Sequence, residues 1–256
     1  MKKRYLLLGG VLAAAALLAL VFWVLLSKPA AYSGVQPEAN LAGPNETYLT
    51  APERYELPPE PVMLPHMAEL YAQNPEIIGW IEIEGTVLDY PLMHTPDDPE
   101  KYLYRDFEGK DYKPGTPFMD YRCTLESDNL LLYGHNMKNG TMFKEIMKYA
   151  NRSYWEQHPV IKITTLYEER EYEVLAAFYD RIYTRSYDGF KFYKFVDAAD
   201  EAEFAKAIAY YTDNARYDTG VTAEYGDQLI TLITCAYHVE NGRFVVVARL
   251  KDGTKE

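Results

Sequence analysis

Residues 6–26 form one uninterrupted apolar run without a charge, and Lys2, Lys3 and Arg4 stand immediately before it. At about 1.5 Å of rise per residue, a helix of that length crosses a hydrocarbon core of about 30 Å. A cleaved signal peptide is the competing expectation, but its apolar region is usually only about 7–15 residues long. The run is therefore expected to be an uncleaved transmembrane anchor. The basic cluster keeps residues 1–5 in the cytoplasm and places everything after residue 26 outside. Residues 27–65 then break every pattern. Pro29, Pro37, Pro44, Pro52, Pro58, Pro59, Pro61 and Pro65 deny the segment both helix and sheet ladders, which predicts an extended extracellular tether.

Regular periodicity begins at residue 66, and residues 66–256 are expected to form a single domain. Met67, Leu70 and Tyr71 predict a short opening helix over residues 66–73. Residues 77–83 and 87–92 have strand character and flank a turn at Glu84-Gly85-Thr86. Residues 118–121 and 130–133 make two further short strands. Met142, Phe143, Ile146, Met147 and Ala150 predict a helix over 141–150. Strands over 160–165 and 170–183 follow, with a bend at 167–169. Ala202, Ala205, Ile208, Ala209 and Tyr210 predict a helix within 198–216, and strands over 229–235 and 243–250 close the chain. Many short strands with few helices predict a mainly β domain with peripheral helices, an antiparallel barrel or sandwich.

Composition narrows the possible functions. Acidic residues outnumber basic ones by 38 to 26, so a phosphate backbone would be repelled and nucleic acid is not an expected partner. The 24 tyrosines suit pleated, half-buried surfaces, and two cysteines are too few for a disulfide scaffold. Outside a membrane those two, Cys123 and Cys235, could still pair. Such a disulfide would suit a non-enzymatic anchored binding domain. Cys235, however, ends the run LITLIT at a strand tip, and Asn241-Gly242 is a strong hairpin signal. A roughly symmetric hairpin about Val239 makes Cys235 face Arg243. A guanidinium beside a thiol favours thiolate and can stabilise an oxyanion. Acyl transfer on a cysteine also needs an acid–base group. His66, His94 and His158 lie in a helix, a Pro-rich turn and a position before proline. His135, just beyond the strand LLLY, and His238, in the hairpin turn, are the two candidates.

The stretch YGHNM (133–137), followed by TLITC (231–235) and Arg243-Phe244-Val245-Val246-Val247, resembles the sortases, and more narrowly those of class B. NPEIIGWIEIEGTVLDYPLM (74–93), KYLYRDFEGK (101–110) and PFMDYR (117–122) are similar to class B segments in the same order. The resemblance implies a closed eight-stranded β-barrel with an N-terminal helix and a helical insertion before the last two strands. It also implies a cysteine transpeptidase on the outer face of a Gram-positive cell membrane, single-pass through the N-terminal helix. By this resemblance Cys235 is the nucleophile that attacks a Thr carbonyl in a C-terminal sorting motif, His135 the acid–base group and Arg243 the oxyanion and carbonyl ligand. Thr234, Leu103 and Tyr193 are the implied substrate contacts. The partners are secreted proteins bearing a sorting signal and a peptidoglycan precursor amine, with no metal or organic cofactor. A hydrolytic thiol endopeptidase and a pilin-polymerising sortase are the alternatives. Many class B members carry Ser where this chain has Ile233, and Asn where it has Pro99.

Overall fold

Among the described residues eight strands hydrogen-bond in the closed order β1-β2-β3-β4-β7-β8-β6-β5, with β5 pairing back onto β1. The structure is a computed structural model and describes residues 61–251. The expected anchor over 6–26 and nearly all of the expected tether lie outside the described residues. Among the described residues no helix is long and apolar enough to cross a membrane.

Helix α1 (Pro65–Gln73) opens the domain with proline in its first turn, where a missing N–H costs nothing. Strand β1 (Ile77–Glu82) alternates buried and half-buried residues and pairs antiparallel with β2 (Asp89–Met93) across the expected turn, where Gly85 adopts φ 75°. Gly79 is required at the seam where the barrel closes, because a Cβ there would sit 2.6 Å from the Thr164 carbonyl oxygen. Strands β3 (Phe118–Met119), β4 (Asn129–Tyr133), β5 (Val160–Thr165), β6 (Glu169–Arg181), β7 (Leu229–Cys235) and β8 (Gly242–Leu250) complete the barrel.

Three expectations are corrected. The barrel is not wholly antiparallel: β4 runs parallel to β7 from Asn129↔Leu229 to Tyr133↔Ile233, and β2 meets β3 in parallel at Met93↔Phe118. Parallel neighbours need long crossovers, which the segments between these strands supply. Strands β4 and β7 are covered on both faces, so they read as continuous apolar runs rather than alternations.

The helix expected over 141–150 is instead a 3-10 turn, Glu145–Ala150, followed by a short helix α2 (Arg152–Gln157). Met142 at φ 58° interrupts the helical path before the turn, and extended Asn151 interrupts it after. The insertion helix exists as α3 (Glu201–Asn214), capped by Asp200, whose carboxylate accepts the Glu203 N–H at 2.9 Å. Its buried stripe is Phe204, Ala207 and Tyr211 rather than the alanine-rich face; Ala202, Ala205 and Ala209 are exposed. The large rings decide which face turns inward, with Tyr211 stacked on Phe178 of β6 at 6.0 Å.

Candidate active site

The β7–β8 hairpin places two of the candidate groups side by side. Cys235 is the last residue of β7 and pairs directly with Arg243, the second of β8. The turn between them closes with Asn241 at φ 56° and with the Gly242 N–H donating to the Val239 carbonyl at 3.1 Å. Gly242 tolerates no side chain, since a Cβ would collide with the Ala236 carbonyl oxygen. Arg243 donates from Nη1 to the carbonyls of Gly242 (2.9 Å) and Asn241 (3.3 Å). Its remaining donors make no bond among the described residues.

The parallel neighbour β4 delivers the third group. His135 follows β4 through Gly134, whose N–H donates to the Ile233 carbonyl at 3.3 Å. A Cβ on Gly134 would sit 2.5 Å from the buried Phe143 ring, so only glycine fits between β4 and the histidine. Two side-chain bonds tie the ends of the two strands together. Thr234 Oγ1 donates to the Gly134 carbonyl at 2.7 Å, and Asn136 Nδ2 donates to the Cys235 carbonyl at 2.7 Å. The His135 Nε2 lies 2.9 Å from the Leu103 carbonyl oxygen, and the Tyr104 ring packs against the imidazole at 5.4 Å.

His135, Cys235 and Arg243 line one cleft of about 360 Å³, together with Leu103, Thr234, Glu100, Ile182 and others. Asp120 and Tyr133 lie in its wall. Burial raises the Asp120 carboxyl, but the Arg122 guanidinium, bonded to it at 2.8 Å through both Nε and Nη2, outweighs that and holds it below the usual carboxylate range. The Tyr133 hydroxyl donates to the same carboxylate at 3.0 Å.

The other histidines lie elsewhere. His66 is exposed on α1; His94 does not line the cleft, and its buried Nε2 has no hydrogen-bond partner among the described residues; His158 packs on Tyr154. His238 is exposed on the hairpin turn against Tyr179, so of the two candidates only His135 lines the cleft.

The disulfide alternative fails, because both cysteines are free. Cys123 is 1% exposed, with Sγ 3.5 Å from both the Asn129 carbonyl oxygen and the Leu131 nitrogen. Burial pushes its thiol up to about 11, the environment of an inert core thiol. Of the implied substrate contacts, Leu103 and Thr234 line the cleft, although the Thr234 hydroxyl is spent on Gly134. Tyr193 is not among the lining residues. Its carbonyl accepts from Arg122 at 2.7 Å and its hydroxyl engages the Tyr183 backbone. Asn136, Tyr104 and the Leu103 carbonyl were not anticipated as parts of the site. Only Asn136 carried a signal, as the fourth residue of YGHNM.

A half-exposed thiol at a strand tip, an imidazole on the neighbouring strand end and a guanidinium across the hairpin are the groups that cysteine-dependent acyl transfer needs, set on a closed β-barrel. Comparison with known proteins agrees. The Sortase domain family model matches residues 81–251. Sortase B of Listeria monocytogenes is 30% identical over 188 residues, 72% of this chain and 73% of that protein. Sortase B of Staphylococcus aureus is 30% identical over 190 residues, 73% of this chain and 75% of that protein. The S. aureus sortase B–substrate complex superposes with a TM-score of 0.66 at 27% identity, covering 74% of this chain and 86% of that one. A Bacillus anthracis sortase B in complex with AAEK1 gives 0.64 at 30% identity, covering 75% and 89%. The chain belongs to the sortase family, and it is a cysteine transpeptidase of the sortase B kind.

Proposed function

We propose that this sortase cleaves a C-terminal sorting motif of secreted proteins at a Thr carbonyl and joins the new carboxyl end to an amine of a peptidoglycan precursor. The observation that carries the reading is the convergence of Cys235, His135 and Arg243 on one cleft. Cys235 acts as thiolate. Its sulfur forms a bond to the carbonyl carbon, and the C–N bond breaks as imidazolium His135 gives its proton to the leaving amine. The thioacyl intermediate is then attacked by the acceptor amine, His135 takes that amine's proton, and the C–S bond breaks to regenerate the thiolate. Arg243 meets the oxyanion at both tetrahedral stages with guanidinium donors not engaged by its own turn. The apolar run at residues 6–26 behind Lys2, Lys3 and Arg4 supports a single membrane anchor with the cleft on the outer side.

The test is acyl-enzyme trapping. The full chain is incubated with a library of sorting peptides, and the adduct is identified by mass. A thioester on Cys235 ending in Thr, discharged to a new amide only when an amine acceptor is added, is expected. A thioester ending in another residue would remove the Thr assignment. Discharge to free acid alone, with acceptor present, would make the protein a hydrolase.

A further inference from the structure

An imidazole that moves protons must be held in one tautomer and one orientation, and in many enzymes a carboxylate or amide behind the ring does this. Among the described residues no Asp or Glu bonds His135. Among the described residues its ring makes one hydrogen bond, from Nε2 to the Leu103 carbonyl at 2.9 Å. A carbonyl oxygen has lone pairs and no hydrogen, so Nε2 must be the donor. The Tyr104 ring packs on the imidazole with its plane tilted by 38°, and this is its one ring contact although Tyr104 is 56% exposed.

The carbonyl is itself held firmly. Residues Lys101–Leu103 form a 3-10 turn whose Tyr102 is buried. The Tyr102 hydroxyl donates to Glu76 Oε2 at 2.6 Å and accepts from Asn74 Nδ2 at 2.7 Å. Lys101 Nζ bonds both oxygens of Glu76, at 2.6 and 2.7 Å. From the other side Gly115, at φ +62°, lies so close that a Cβ would sit 2.6 Å from the Tyr102 carbonyl oxygen and collide with that of Leu103.

We propose that the Leu103 carbonyl and the Tyr104 ring form the orienting clamp of His135, with Tyr104 a positioning residue. The clamp fixes the neutral ring as the Nε2–H tautomer, so Nδ1 is the nitrogen that exchanges protons with Cys235 and with the two amines. The inference rests on the acid–base role given to His135 above. It also gives Leu103 two tasks, lining the cleft and, through its carbonyl, aiming the histidine.

Nitrogen-15 NMR of the full chain with labelled histidine, solubilised in detergent, tests the tautomer without any substrate. His135 is assigned by its loss in His135→Gln, and the ring is observed on the alkaline side of its titration. A protonated Nε2 with an unprotonated, pyridine-like Nδ1 is expected; a predominant Nδ1–H tautomer overturns the clamp. Because this readout needs no turnover, an inactive protein with the Nε2–H tautomer would sink the functional reading and leave the clamp standing. Kinetics test the ring. Tyr104→Ala is expected to lower kcat by up to about 10²-fold, the cost of a small misplacement of a reacting group, with KM little changed. It should also mix the tautomers, whereas Tyr104→Phe should retain most activity and the wild-type tautomer. Unchanged kcat and tautomer in Tyr104→Ala, or a Tyr104→Phe as impaired as Tyr104→Ala, would remove Tyr104 from the clamp.

Discussion

Replacing Thr234 by Val separates two roles that the same residue could have. Resemblance alone implies that Thr234 touches substrate. The structure shows it 2% exposed, with its hydroxyl donating at 2.7 Å to the carbonyl of Gly134, the residue between β4 and His135. Valine keeps the volume and deletes the donor. A net hydrogen bond is worth about 0.5–1.5 kcal/mol, and a buried partner left unpaired costs about 1–3 kcal/mol. Because Gly134 is only half-buried at the cleft wall, water can partly replace the lost donor, and we expect about 1–2 kcal/mol of destabilisation. For a domain of this size that corresponds to a Tm lower by about 2–4 °C per kcal/mol. The loosened Gly134 also frees His135, so kcat should fall while KM for a sorting peptide stays nearly constant. Thr234→Ser restores the donor and should restore most of both. Calorimetry and steady-state transpeptidation on the same preparations give the two readouts. A Thr234→Val protein with unchanged Tm and kcat but a raised KM would refute the strand-end clip and reinstate a direct substrate contact.

Cys235→Ala should abolish thioester formation in a folded protein, whereas Cys123→Ala should keep transfer and lose only about 1 kcal/mol of stability; peptide trapping and urea unfolding check the pair. His135→Ala should reduce kcat by about 10²–10⁴-fold, while His238→Ala, on the exposed turn, should transfer peptide at the wild-type rate. Arg243→Lys should lose about 10²-fold or more in kcat despite keeping the charge, because a point charge cannot supply the guanidinium's planar set of donors. Asp120 carries an acid-dependent share of stability. Its folded carboxyl lies below the ordinary value, so its contribution is complete above the unfolded carboxylate value of about 3.9 and disappears as pH falls through the folded one. Asp120→Asn should therefore melt below wild type at pH 7, and the gap should close in melts taken at progressively more acidic pH; a gap independent of pH would place the stabilisation elsewhere.

What was legible in the chain follows from where each signal is stored. The hairpin that opposes Cys235 to Arg243 is encoded within a few residues, in a strand end and an Asn-Gly turn, so the register could be worked out locally. The parallel pairing of β4 with β7 could not. Both strands are covered on two faces, which erases the alternation that would show a side, and the partner lies far along the chain. Helix α3 is legible as a helix but its buried face is not, since small apolar alanines mark one side while Phe204 and Tyr211 supply the buried volume on another. The site divides in the same way. Groups whose chemistry lies in side chains announce themselves by residue type, and the resemblance pointed to Cys235, His135 and Arg243, which the fold brings to one cleft. The Leu103 carbonyl does not, because every residue has one. Its placement depends on Gly115, on Glu76 just before β1 and on the turn between them, none of which is adjacent to His135 in sequence. A part of the site whose chemistry is backbone chemistry becomes visible only when the fold has brought the donor to the acceptor.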